Sequence, residues 1–252
     1  MLKTTRFIRT KSFNLATYQK GSSQSDKFAI VLPGRLDTKD YLHMRSHVDF
    51  LATKGYFALS FDPPGTWESE GDISIYSTTN YLKAVQEIIE YYGNKKTILI
   101  GHSRGGSMAV LAGTRIKEVE KFIDIMGRAS YKTEEFIDDG WREKGYHLSI
   151  RDTPKGYAEK EKSFKLPYTF VEDSQQYDMI PDLKVCNKPK LFIAGSKDTL
   201  VDPIKIKEAC ELSSDPKQFI MLDSVHGYRR NPEMINKVNG IIEEFIEEKK
   251  VH

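Results

Sequence analysis

Thr97-Ile-Leu-Ile100, Gly101-His102-Ser103-Arg104-Gly105-Gly106 and Ser107-Met-Ala-Val-Leu-Ala112 follow one another without a break: an apolar run, a turn of small residues and the start of a helix. The centre of the stretch is Gly-x-Ser-x-Gly. A serine on so sharp a strand-to-helix turn sits in a strained backbone conformation, and small residues two places to either side let strand and helix approach each other. The turn points the hydroxyl outward. It also puts the Arg104 amide at the helix N-terminus, where an N–H without an intrahelical acceptor and the helix dipole favour negative charge. An ordinary glycine-rich turn can carry the same five residues; the position between strand and helix is what favours a nucleophile.

Short apolar runs recur on both sides of this turn, at Phe28–Leu32, Phe57–Phe61, Phe122–Ile125, Lys190–Ala194 and Gln218–Leu222, each followed within two residues by Gly, Pro or Asp. Helix-like stretches lie between them at about 38–54, 77–92, 104–114, 203–211 and 232–249. Alternating strand and helix imply right-handed βαβ units and a doubly wound, mostly parallel α/β sheet, with ligands beyond the carboxyl ends of the strands. Before them, the alternation around Phe7, Ile8, Phe13 and Leu15 suits two paired strands at a sheet edge. One segment breaks the rhythm. Residues 128–182 hold nine basic and twelve acidic residues and nine of the 28 aromatics, and are too long for an ordinary connection. They read as a cap inserted after the sixth strand, with residues 1–127 and 183–252 forming the core.

A chain of 252 residues suits one large α/β domain with such an insertion. A net charge of +2 supplies no basic field for nucleic acid or an anionic membrane. The cysteines, Cys186 and Cys210, are too few for a disulfide framework or a zinc cluster and read as two buried thiols. No apolar run reaches signal-peptide or membrane-span length, so a soluble cytoplasmic protein is expected. A monomer or a homodimer is expected. Nucleotide-binding readings fail because Gly-x-Gly-x-x-Gly is missing at the expected strand ends and no Gly-Lys-Ser/Thr follows a strand.

A serine hydroxyl needs a base, and the base needs a residue to orient it. Asp198 in Gly195-Ser-Lys-Asp198 and His226 in Ser224-Val-His226-Gly227-Tyr228 each fall in a loop after an apolar run, 95 and then 28 residues apart. Alone, each is an ordinary loop residue. Together with Ser103 they keep the order Ser, Asp, His on three strand-end loops.

With these motifs, and Leu32-Pro33-Gly34-Arg35 after the third strand, the chain resembles the α/β-hydrolase family over essentially its whole length, and Tyr177–Lys184 with Pro189–Asp198 resembles its small esterase and lipase branch. The resemblance implies that Ser103 is the nucleophile, His226 the general base and then acid, and Asp198 its orienter, with the backbone N–H groups of Arg35 and Arg104 holding the oxyanion. Where many relatives have His-Gly, Pro33 precedes Gly34 here; the donated group is a backbone amide, so the change need not abolish function. The expected activity is hydrolysis of a small-molecule carboxylic ester through an acyl-enzyme, with no metal or organic cofactor. A thioesterase, amidase, peptidase or carbon–carbon bond hydrolase would use the same three residues, and a non-catalytic binding protein would use the fold alone.

Gly34, Arg128, Trp141 and Tyr168 are candidates for touching substrate, and Tyr131, Phe136, Tyr146, Phe164 and Phe170 are further aromatics that either wall an apolar pocket or fix the cap to the sheet. The side chains of Arg35, Arg104 and Arg128 either meet a substrate carboxylate or point to solvent and cap acids. His43 and His47 have metal-ligand spacing but lack the glutamate of zinc peptidases, so a solvated helix face is expected. Asp62, in Asp62-Pro63-Pro64-Gly65, reads as structural and His102 as a packing residue. Asp124 is an alternative acid, with Asp202 and Asp223 weaker substitutes.

Overall fold

The computed structural model describes residues 5–130 and 140–247. In chain order the elements are β1 (Arg6–Arg9), β2 (Asn14–Lys20), β3 (Phe28–Leu32), α1 (Leu42–Thr53), β4 (Phe57–Phe61), α2 (Thr78–Tyr91), β5 (Thr97–His102), α3 (Arg104–Arg115) and β6 (Val119–Ile125). There follow α4 (Trp141–Lys144), β7 (Tyr146–Asp152), β8 (Glu161–Pro167), α5 (Thr169–Gln175), α6 (Ile180–Leu183), β9 (Lys190–Gly195), α7 (Pro203–Leu212), β10 (Lys217–Leu222) and α8 (Pro232–Glu247).

Eight strands form one sheet in the order β1-β2-β4-β3-β5-β6-β9-β10. The six strands from β3 onward run parallel, and the β1–β2 hairpin joins antiparallel to the edge of β4. Every residue of β3, β4, β5 and β9 is buried, as expected of strands covered on both faces. Helix α8 buries Ile235, Val238, Ile242 and Phe245, one helical stripe, against this core. Ser77 caps α2 by accepting from Asn80 N at 3.0 Å. Among the described residues no helix is long and apolar enough to cross a membrane. Cys186 and Cys210 are buried and unbridged.

Two expectations need correcting. Helix α1 begins at Leu42 rather than near 38, because Asp62 holds the preceding turn: its Oδ1 accepts from Thr38 Oγ1 at 2.7 Å and Lys39 N at 2.9 Å. The face of α1 read as solvated is covered. His43 and His47 are both fully buried, under Tyr228 from the loop after β10 and Asn239 from α8.

Between β6 and β9 the chain leaves the sheet. The β7–β8 hairpin pairs Tyr146 with Pro167 through Asp152 with Glu161, and α5 and α6 lead back toward β9. Tyr131 and Phe136 lie outside the described residues.

Candidate active site

Ser103 lies between β5 and α3 with φ 55° and ψ −122°, a conformation costly for any side-chain-bearing residue. Its N–H donates to Ile125 O at 2.8 Å and its carbonyl accepts from Ser107 N at 3.1 Å, which fastens the turn. A Cβ on Gly101 would overlap the carbonyl of Gly105, and one on Gly105 would overlap that of Leu32. Both positions require glycine.

His226 Nε2 lies 2.9 Å from Ser103 Oγ, and His226 Nδ1 lies 2.7 Å from Asp198 Oδ2. The other carboxylate oxygen of Asp198 accepts from the N–H groups of Leu200 and Val201 at 2.8 and 3.0 Å. Burial by itself pushes the Asp198 carboxyl up, but the hydrogen bond from His226, followed by that from Val201, outweighs it and leaves the group below the usual carboxylate range. An ionised Asp198 selects the Nδ1–H tautomer of His226 and turns the Nε2 lone pair toward Ser103. Such a chain can withdraw the serine proton.

The loop after β3 is pinned by three aromatic residues. Tyr81 OH donates to Pro33 O at 3.0 Å, Leu36 N donates to Tyr76 OH at 3.3 Å, and Trp67 Nε1 donates to Leu36 O at 2.9 Å. Arg35 lies between these anchors with its side chain exposed. A Cβ on Gly34 would come within 2.8 Å of Asp37 Oδ2 and 3.4 Å of His102 O, so glycine lets the loop lie against the turn that carries Ser103. The N–H of Arg104 precedes the first helical bond of α3.

Residues 30–122 match the family described as alpha/beta hydrolase fold. Mouse "Palmitoyl-protein thioesterase ABHD10, mitochondrial" is 23% identical over 176 residues, covering 68% of this chain and 59% of that protein; the chain thus matches about three-fifths of the length of such curated relatives. A putative hydrolase from Agrobacterium vitis S4 superposes with a TM-score of 0.79 at 18% identity, covering 96% of this chain and 98% of that one. Est1E from Butyrivibrio proteoclasticus, solved with ferulic acid bound, superposes with a TM-score of 0.73 at 17% identity, covering 96% and 100%.

The chain has the α/β-hydrolase fold. In this α/β-hydrolase fold Ser103, Asp198 and His226 lie past the carboxyl ends of β5, β9 and β10.

Within the α/β-hydrolase frame the three arginines go separate ways, and among the described residues Arg104 meets hydroxyls and an aromatic ring rather than solvent. Its guanidinium is buried, donating to Thr78 Oγ1 at 2.7 Å and Ser174 Oγ at 3.3 Å and lying 4.1 Å over the Phe170 ring. The cause is α5, which docks on the N-terminus of α2, where Asp173 accepts from the N–H groups of Thr78 and Thr79. Arg128 donates Nη2 to Leu200 O at 2.8 Å, bracing the loop that carries Asp198.

Trp141 is buried, donates Nε1 to Leu166 O at 3.0 Å and stacks with Phe170 at 6.2 Å. Tyr168, half-buried, lies 6.3 Å from Trp141. Phe164 is buried against Trp67, whereas Tyr146 is 40% exposed.

Asp124 lies under Gly106 and Gly127, accepting from Gly127 N at 2.7 Å, and burial pushes its carboxyl up to about 7. Asp202 caps α7, and the exposed Asp223 pairs with Lys197. His102 is buried, and burial followed by the neighbouring His226 lowers its pKa to about 3. Its Nε2–H donates to the backbone carbonyl of His226 at 2.9 Å.

Two ion pairs around the site went unread in the sequence. Arg151 of β7 binds Asp37 of the loop after β3, and Asp152 binds Arg229, three residues past His226. They couple residues 114 and 77 positions apart. No local pattern announces such a pair, because it depends on where the hairpin settles.

Proposed function

We propose that the protein is a serine hydrolase acting on carboxylic esters of small apolar or aromatic acids. The observation that carries the reading is the unbroken hydrogen-bonded chain from Asp198 Oδ2 through His226 to Ser103 Oγ, at 2.7 and 2.9 Å.

Ser103 Oγ attacks the ester carbonyl while His226 Nε2 takes its proton, and the resulting imidazolium is stabilised by Asp198. The N–H groups of Arg35 and Arg104 hold the tetrahedral oxyanion; removing one such donor typically costs about 2.7–4 kcal/mol of transition-state stabilisation. Collapse of the intermediate expels the alcohol, which receives the proton from His226. Water then enters, gives a proton to His226 and releases the acid by the same route. No metal or organic cofactor takes part in this sequence.

Residues 128–182 act as the cap and residues 1–127 with 183–252 as the core. Trp141 holds the cap together through Leu166 and Phe170, which leaves the half-buried Tyr168, with Gly34 beside the oxyanion, as the residues to line the acyl pocket. Arg128 acts through the Asp198 loop rather than through a substrate carboxylate.

The name of the mouse relative favours a second substrate class, acyl thioesters, for which the same three residues suffice. Labelling by a fluorophosphonate probe tests the central reading: it is expected in the wild type and absent in Ser103→Ala and His226→Ala. Folded wild-type protein that takes no label overturns it. Comparing p-nitrophenyl esters, hydroxycinnamate esters and acyl thioesters then chooses between ester and thioester.

A further inference from the structure

Beneath Ser103 and His226 lies a second cluster with no part in the scheme above. Asp37, His43 and His102 each offer a ligand atom, and the three atoms lie within 4.8 Å of one another. The three residues are at most 3% exposed. Both ring nitrogens of His43 and Nδ1 of His102 are buried without a hydrogen-bond partner. Leaving such groups unsatisfied is costly, and a buried orphan calls for an explanation.

The surroundings prepare these atoms as electron-pair donors. His102 gives its Nε2–H to the carbonyl of His226, so in the neutral ring Nδ1 carries a lone pair rather than a proton. Asp37 is anchored by Arg151 through Oδ1. Metal-binding histidines and carboxylates are commonly oriented by such outer hydrogen bonds. His47, four residues from His43 on α1, is already satisfied: Nδ1 lies 2.6 Å from Asn239 Oδ1 and Nε2 lies 2.9 Å from Tyr228 OH. The helical spacing that pairs His43 with His47 in the sequence is therefore replaced in space by His43 with His102.

We propose that Asp37, His43 and His102 bind one divalent transition-metal ion of the zinc class, with an open fourth position for water. Two imidazoles and one carboxylate suit that class, and three protein ligands with one open position is a common zinc arrangement. Three atoms within 4.8 Å of one another lie no more than about 2.8 Å from a common centre. Closing by about 0.7 Å reaches the ~2.0–2.1 Å of zinc–nitrogen bonds. The ion would tie together the loop after β3, helix α1 and the residue preceding Ser103. Its role is to hold the oxyanion loop against the nucleophile turn, outside the acyl transfer itself.

The test uses the full chain purified without a polyhistidine tag. Chelator-stripped protein is titrated with Zn²⁺ and with Co²⁺, following bound metal per chain, melting temperature and the visible cobalt bands. One ion per chain, a higher melting temperature and cobalt bands of a low-coordinate nitrogen and oxygen site are expected. In His43→Gln and Asp37→Asn the affinity is expected to fall by at least about 10–100-fold, the loss typical even of outer-shell changes. His147→Gln, on the hairpin, is expected to keep it. If His43→Gln fails to fold, Asp37→Asn and the wild-type cobalt spectrum decide. Absence of stoichiometric binding in the wild type, binding that survives both substitutions, or a lone water at this position in crystals grown with zinc overturns the proposal. None of these readouts depends on Ser103.

Discussion

Arg229 Nη1 meets Asp152 Oδ2 at 3.2 Å, joining the end of β7 to the loop that carries His226. Arg229 also lies 4.2 Å over the Tyr41 ring, and Tyr41 OH donates to the backbone carbonyl of Asp152 at 2.8 Å. Burial alone raises the Asp152 pKa, but the hydrogen bond and charge of Arg229, then those of Arg230, bring it down to about 2. A depressed carboxyl contributes stability that is present above its unfolded pKa and lost as pH falls toward 2. Asp152 is 41% exposed, so the global contribution is small, below about 1 kcal/mol. Asp152→Asn is therefore expected to leave the melting transition nearly unchanged while raising amide hydrogen exchange in residues 146–167. Unchanged exchange there would show that the pair does not hold the hairpin.

Asp198→Asn keeps the shape of the side chain but offers His226 the wrong hydrogen-bonding partner. If Asp198 selects the tautomer, kcat on a p-nitrophenyl ester is expected to fall about 10⁴-fold. A loss of tenfold or less would assign the orienting role elsewhere.

Asp124 carries a pH dependence of stability with its own sign. Its folded pKa of about 7 lies above the 3.8 of an ordinary carboxylate, so the native state keeps a proton that the unfolded chain releases first. The protein therefore loses stability as pH rises from about 4 to 7, on the order of 4 kcal/mol from this group. Asp124→Asn keeps an acceptor for Gly127 N and cannot ionise. Its stability advantage over the wild type, measured by urea unfolding, is expected to grow across that window and level off above it. A constant difference would show that Asp124 ionises without cost.

Lys39 is fully buried, with Nζ 3.1 Å from the fully buried Asp62 Oδ2 and 2.7 Å from Glu68 Oε2. Lys39→Met strands the Asp62 charge and is expected to cost about 3–5 kcal/mol in chemical denaturation. Adding Asp62→Asn is expected to restore part of the loss. A double variant as unstable as Lys39→Met alone would argue that the lysine acts by packing.

The sheet was legible because its strands are buried on both faces and read as plain apolar runs, and Ser103 because its turn demands glycine at 101 and 105. Asp198 and His226 were legible only as members of an ordered set. The face of α1 was misread for a physical reason: a helical stripe identifies which residues share a side, not what covers it. The cover for His47 comes from Tyr228 and Asn239, 181 and 192 residues away. Arg104 escaped similarly, since the hydroxyls that accept from it lie on α2 and α5.

Arg104 supplies backbone to the turn that carries Ser103 and side chain to the docking of α5, so a single codon serves both the turn and the segment above it. A chimera that transplants the segment between β6 and β9 from another member of the fold must also bring a hydroxyl equivalent to Ser174, or leave a buried guanidinium short of an acceptor. Exchange of this segment is thus constrained at a contact that a local sequence comparison would miss, and variants made there should change positions 78, 104, 170 and 174 together.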